Sequence, residues 1–107
     1  VKNKKTYLLA KKTVITDSEG GKYPGWEIPI EIKAYIYPAS GKMQAEIYGQ
    51  RLNYILNMLY DGSEELEEGD GICYSAAAIS DKKPDYKIIS IKSYGHKVIE
   101  LEKILNG

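Results

Sequence analysis

Trp26, Ile28, Ile30, Ile32, Ala34 and Ile36 are apolar at every second position, with Glu27, Pro29, Glu31, Lys33 and Tyr35 between them. A period of two held this long predicts a single long strand with one buried face. Pro29 falls on the exposed side and cannot donate a ladder hydrogen bond, so an edge position or a bulge is expected there. Upstream, the β-branched run Thr6 to Thr16 predicts a strand, and Asp17 to Gly21 with Pro24-Gly25 supplies turn chemistry between the two. Pro38 ends the long strand, and a polar connector follows over about residues 38–50, with a short helical turn fitting Met43 to Tyr48. Leu52, Tyr54, Leu56, Met58 and Tyr60 fit strand spacing about as well as Leu52, Ile55, Leu56 and Leu59 fit helical spacing. Gly49-Gln50 is a poor helix cap, which favours strand.

Asp61-Gly62-Ser63 turns the chain into the acidic run Glu64 to Glu68, and Glu68-Gly69-Asp70-Gly71 is a tight-turn signature before an expected strand Ile72 to Ile79. Asp81 to Asp85 reads as a loop. Tyr86 to Ser93 and Lys97 to Leu105 read as two strands of a hairpin with Tyr94-Gly95-His96 at its tip. In the last strand Ile99, Leu101, Lys103 and Leu105 share one face, and Glu100 and Glu102 the other. The pattern shows no internal repeat and no linker, so residues 1–107 are expected to form one domain. Five or six short strands separated by turns argue a mainly β fold, a small barrel or sandwich.

Composition narrows the partners. Fifteen Lys and Arg balance fifteen Asp and Glu, so the chain is neutral and tight phosphate binding is not expected. Ten tyrosines and no phenylalanine suit half-exposed strands and contact surfaces. One cysteine allows no internal disulfide, and no segment is apolar enough to span a membrane. The apolar part of the first ten residues is too short for a signal-peptide core, so synthesis inside the cell is expected.

Candidate chemistry is sparse. Ser40-Gly41-Lys42-Met43 lacks the first glycine and the hydroxyl of a phosphate loop and reads as a surface turn. His96, the sole histidine, has neither an orienting carboxylate nor a metal-ligand set beside it, and Cys73 reads as a buried thiol of ordinary pKa. Glu64, Glu65, Glu67, Glu68 and Asp70 lack the alternation of an EF-hand, so a solvated acidic loop is expected. The lysines at 2, 4, 5, 11 and 12 read as a mobile basic arm, solvated rather than in contact with nucleic acid. Neither a cofactor nor an enzymatic activity is expected.

Taken in order, Trp26 through Pro38 (WEIPIEIKAYIYP), Ser40-Gly41-Lys42 with Gln44 and Tyr48-Gly49, the Glu68-Gly69-Asp70-Gly71 turn, and Asp85 through Ile91 resemble the head-closure proteins of tailed phages. These are also called stopper or head–tail joining proteins. The resemblance covers about residues 7–104. It implies a small single-domain antiparallel β-barrel with a long inter-strand loop at about 38–50 and at most one short helix. It also implies a subunit of a homo-oligomeric ring on the virion, made in the bacterial host cytoplasm. Such a ring sits below the portal and its adaptor, closes the DNA channel after packaging, and docks the tail through a tail-completion protein. Carried over by position, Ser40, Lys42, Gln44, Glu46 and Tyr48 become candidates for the channel or for contact between neighbours. One departure is that Arg51 to Tyr60 lacks the threonine-rich alternation of the family's third strand.

A neutral chain with acidic loops suits a channel that DNA must leave. With no large apolar stripe legible on the surface, the isolated protein is expected to be mainly monomeric. Two other readings stay open: another connector or tail-completion protein of the same joint, and a small β-barrel that binds nucleic acid or a peptide.

Overall fold

The computed structural model describes residues 4–94 and 96–105, with the strand path alone at 93, 94, 96 and 97. The strands are β1 (Lys5–Ala10), β2 (Lys12–Thr16), β3 (Lys22–Trp26), β4 (Ile30–Pro38), β5 (Ile55–Leu59), β6 (Gly71–Cys73), β7 (Tyr86–Tyr94) and β8 (His96–Lys103). Helix α1 (Lys42–Tyr48) and a 3-10 helix (Gly49–Tyr54) connect β4 to β5, and α2 (Ala76–Asp81) connects β6 to β7. Six strands close an antiparallel barrel in the order β1-β4-β5-β8-β7-β6, and β2 and β3 pair only with each other. The fold is therefore a small, mainly β, antiparallel barrel with a long connection between two of its strands. No helix among the described residues is long and apolar enough to cross a membrane.

The barrel interior is filled by alternate residues of its strands, among them Leu9, Ile32, Ala34, Leu56, Met58, Ile72, Ile88, Ile99 and Leu101. On β4 the expected alternation holds from Ile32 onward: Ile32, Ala34 and Ile36 are buried, while Glu31 and Lys33 are exposed. Upstream it fails. The expected strand from Trp26 to Ile36 is two strands, and so is the one from Thr6 to Thr16. Leu9 pairs with Ile30 and Lys12 with Trp26, so Ala10 and Lys11 face three residues, Glu27, Ile28 and Pro29. That is the bulge expected at Pro29, and it bends the hairpin out of the barrel. Ile28 is left 86% exposed and Ile30 40% exposed, so the periodic apolar face ends at the bulge.

Beyond the bulge, β2 and β3 form a two-stranded arm. Its tip is closed by an Asx turn in which Asp17 Oδ1 accepts from the N–H groups of Glu19 (2.9 Å) and Gly21 (2.7 Å). Gly20 takes φ +85 there, a conformation suited to glycine. The molecule is 48 Å along its longest axis and 30 and 26 Å across.

Two further expectations change. The strand expected over Ile72 to Ile79 stops at Cys73, because Ser75 caps a helix by accepting from the Ala78 N–H (3.1 Å) and three alanines follow it. The barrel thus carries a second short helix. Strand does replace helix in the ambiguous segment Leu52 to Tyr60, but only from Ile55, the preceding residues being 3-10. The hairpin of β7 and β8 is as expected, and the side chain of His96 at its tip lies outside the described residues.

Core and arm should respond differently to truncation. Leu9→Ala removes a fully buried side chain and is expected to cost about 2–5 kcal/mol in urea unfolding. Val14→Ala, on the arm and 64% exposed, is expected to stay within about 0.5 kcal/mol of wild type. Equal losses from the two would contradict this division.

Candidate functional site

Two anchored features stand on the barrel, at opposite ends of β4. The first is the root of the arm. Asp70 is completely buried in the turn before β6. Its carboxylate accepts from Lys11 Nζ (2.6 Å) and from the backbone N–H groups of Lys12 and Glu67 (both 2.9 Å). Lys11 Nζ also donates to Glu65 O (2.7 Å) and Lys12 Nζ to Glu68 O (2.8 Å). Burial, the largest single influence on Lys11, lowers its pKa, but Asp70 and Glu67 outweigh it and hold the amine above its ordinary value. The Trp26 indole N–H donates to Gly69 O (3.2 Å), which fixes the other strand of the arm to the same turn. Beside it lies a groove of about 390 Å³ lined by Lys12, Pro24, Trp26, Lys87 and Ile104.

The lysines expected to form a mobile arm are therefore structural where they are described. Lys11 and Lys12 clamp the acidic loop, with Lys12 Nζ 3.5 Å from Glu67, and Lys4 pairs with Asp61 (2.8 Å). Lys5 begins β1, and Lys2 lies outside the described residues. In the acidic loop the side chains of Glu64, Glu65, Glu67 and Glu68 are exposed as expected, while its backbone is tied down. The Glu64 N–H donates to the Tyr60 hydroxyl (3.0 Å).

The second feature is α1, lying over β5 and β8. Asn57 and Glu100 are cross-strand neighbours on the outer barrel face, and both are buried. Gln44 Nε2 donates to Asn57 Oδ1 and Glu100 Oε2 (both 2.8 Å), and its Oε1 accepts from Asn57 Nδ2 (3.1 Å) and the Ser40 N–H (3.2 Å). Lys92 Nζ is 3.1 Å from Glu100 Oε1 as an ion pair, without hydrogen-bond geometry to that buried oxygen. Burial is the largest influence on Glu100 and raises its pKa. Gln44, Lys92 and Tyr48 outweigh it, so the carboxyl titrates below its ordinary 4.5. Tyr48 is pushed up to about 12 by burial first and by Glu100 second.

The candidates Ser40, Lys42, Gln44, Glu46 and Tyr48 are thus brought together on one short segment with two orientations. Gln44 and Tyr48 are partly buried against the barrel, whereas Ser40, Lys42 and Glu46 are exposed. Sequence reasoning missed Asn57, Asp70 and Glu100 as organising residues. Strand alternation sends Glu100 to solvent, and only the covering helix buries it. Cys73 is buried as expected, but burial pushes its thiol up to about 11, so its pKa is not ordinary. Among the described residues no group of three or more His, Cys, Asp or Glu side chains could hold a metal ion. No family model matches the chain, and neither a curated protein nor a solved structure matches it.

Both anchors are testable. Asp70→Asn keeps the shape but removes the charge that meets Lys11, and is expected to cost about 2–4 kcal/mol in urea unfolding. Fluorescence of Trp26, the only tryptophan, should shift to the red as the arm root loosens. An unchanged spectrum and midpoint would show that Asp70 does not hold the arm. For Glu100 the depressed pKa means that the folded state binds this proton less readily than the unfolded chain. Its stabilisation is complete above its ordinary 4.5 and is lost as pH falls through the lowered value. The stability gap between wild type and Glu100→Gln should therefore narrow on acidification, and a gap constant down to about pH 3 would contradict the linkage.

Proposed function

We propose that this chain is a structural subunit of the head-to-tail joint of a tailed phage or prophage, closing the DNA exit channel after packaging and docking the tail. The observation that carries this reading is the arm. A closed barrel has no free sheet edge to satisfy, yet this one sends out a two-stranded ribbon with Val14 and Tyr23 exposed. Such a ribbon is marginal by itself and suits contact with other subunits. The residues behind the resemblance also meet in space, since Trp26 bonds to Gly69 and the adjoining Asp70 holds the strand opposite. A net charge of zero suits DNA that must pass without sticking.

On this reading the subunit works in a ring, between the portal adaptor and a tail-completion protein. Lys42 and Glu46 are the outward-facing candidates for the channel or a neighbour, with Gln44 and Tyr48 holding their helix in place. The exposed arm residues Val14 and Tyr23 lie on opposite faces of the ribbon, and the isolated protein is expected to be mainly monomeric. A second reading, a barrel that binds nucleic acid or a peptide, draws on the groove in which Trp26 lies with Lys12 and Lys87, an aromatic flanked by bases.

Electron microscopy of particles lacking this gene separates the two. Heads that lose their DNA beside free, complete tails are the expected result. Normal tailed particles would overturn the assignment, and quenching of Trp26 by single-stranded DNA that fades with salt would then favour the second reading.

A further inference from the structure

Two exposed apolar surfaces of this chain complement each other and lie too far apart to meet within it. On α1, Met43 is 74% and Ile47 56% exposed, one helical turn apart, with Glu46 beside them. On the arm, the register Lys12↔Trp26, Val14↔Pro24 and Thr16↔Lys22 places these six residues on one face. Its apolar members are Trp26, Pro24 and Val14, the last 64% exposed. Lys12 and Lys22 lie on the same face, and Lys87 lines the groove of about 390 Å³ at its base. The helix therefore offers two apolar side chains and Glu46, with Lys42 one turn before it. The arm offers an apolar face with the ammonium groups of Lys22 and Lys87 beside it, Lys12 being held by Glu67 and Glu68.

β4 runs from the arm's root at Ile30 to Pro38, just ahead of α1. Nine residues of strand separate the two surfaces by roughly 30 Å. We propose that α1 of one copy docks on the arm of a second copy, Met43 and Ile47 packing along Trp26, Pro24 and Val14 with Glu46 toward the lysines. Different patches meet, so the contact is heterologous and repeats from copy to copy, closing a ring wherever the rotation allows. The inference goes beyond the proposed function in naming both faces, and it requires no phage.

Cysteine cross-linking tests it on the intact chain. Val14→Cys and Ile47→Cys are prepared as separate variants at exposed positions, where folding is undisturbed. The native Cys73 is buried, with its thiol pushed up to about 11, and stays silent. The variants are mixed at millimolar protein, the local concentration of a tethered partner, and oxidised mildly. Mixed dimers should exceed either homodimer several-fold, and adding Glu46→Lys to the Ile47→Cys chain should reduce them to the homodimer level. Homodimers of Val14→Cys in excess would mean that arms pair with arms and would overturn the proposal, as would no mixed product above background. Either failure leaves the particle phenotype of the gene deletion untouched, and that phenotype could fail with the cross-link intact.

Discussion

Asp70 is fully removed from water, and the three donors that meet its carboxylate come from two segments far apart in sequence. Glu67 belongs to the turn leading into β6, the three-residue strand that pairs with both β1 and β7 and closes the barrel. Lys11 and Lys12 belong to the kink at which the first hairpin leaves the barrel as the arm. An unpaired buried carboxylate costs several kcal/mol, so neither segment can withdraw alone. Barrel closure and the direction of the arm are consequently one constraint.

The surrounding residues follow from it. Holding the turn against the kink brings Trp26 over the start of β6, where its indole N–H reaches Gly69 O. A Cβ at Gly71 would come within 2.6 Å of Pro84 Cγ and 3.0 Å of Trp26 Nε1, so glycine is needed there for close approach. Gly69, at φ +97, lets the turn itself form. The Glu-Gly-Asp-Gly signature thus has separate duties at three consecutive positions: backbone freedom at Gly69, the anchor at Asp70 and clearance at Gly71.

Much of the barrel was legible because its inner face obeys a period of two, as Ile32, Ala34 and Ile36 do. The same alternation misled at Trp26, Ile28 and Ile30. An apolar side chain signals that burial is favourable, not that a partner exists, and one extra residue at the bulge releases the strand from its register. The error at Ile72 to Ile79 came from composition, since Ser75 and the alanines after it favour a capped helix over strand. Asn57 and Glu100 were illegible for another reason. Their burial depends on Gln44, distant from Glu100 in sequence, and no local pattern records that a helix folds back over the outer face. Asp70 was legible as a turn residue and hidden as an anchor, because its donors Lys11 and Lys12 lie on the first hairpin.

The two anchors solve the same problem with the same chemistry. A short helix and a two-stranded ribbon are each too small to hold their own position by apolar burial. Apolar contact is also non-directional, so it would leave either free to slide. Glu100 fixes α1 through Gln44, and Asp70 fixes the arm through Lys11 and the Lys12 amide, with bonds that tolerate little rotation. Each carboxylate sits on or beside the barrel wall and faces outward to the element it holds. Met43 and Ile47 on one of those elements and Val14 on the other stay exposed, while Pro24 lines the groove beside Lys87 and Ile104. Buried carboxylates at opposite ends of β4 therefore fix where Met43, Ile47 and Val14 are exposed.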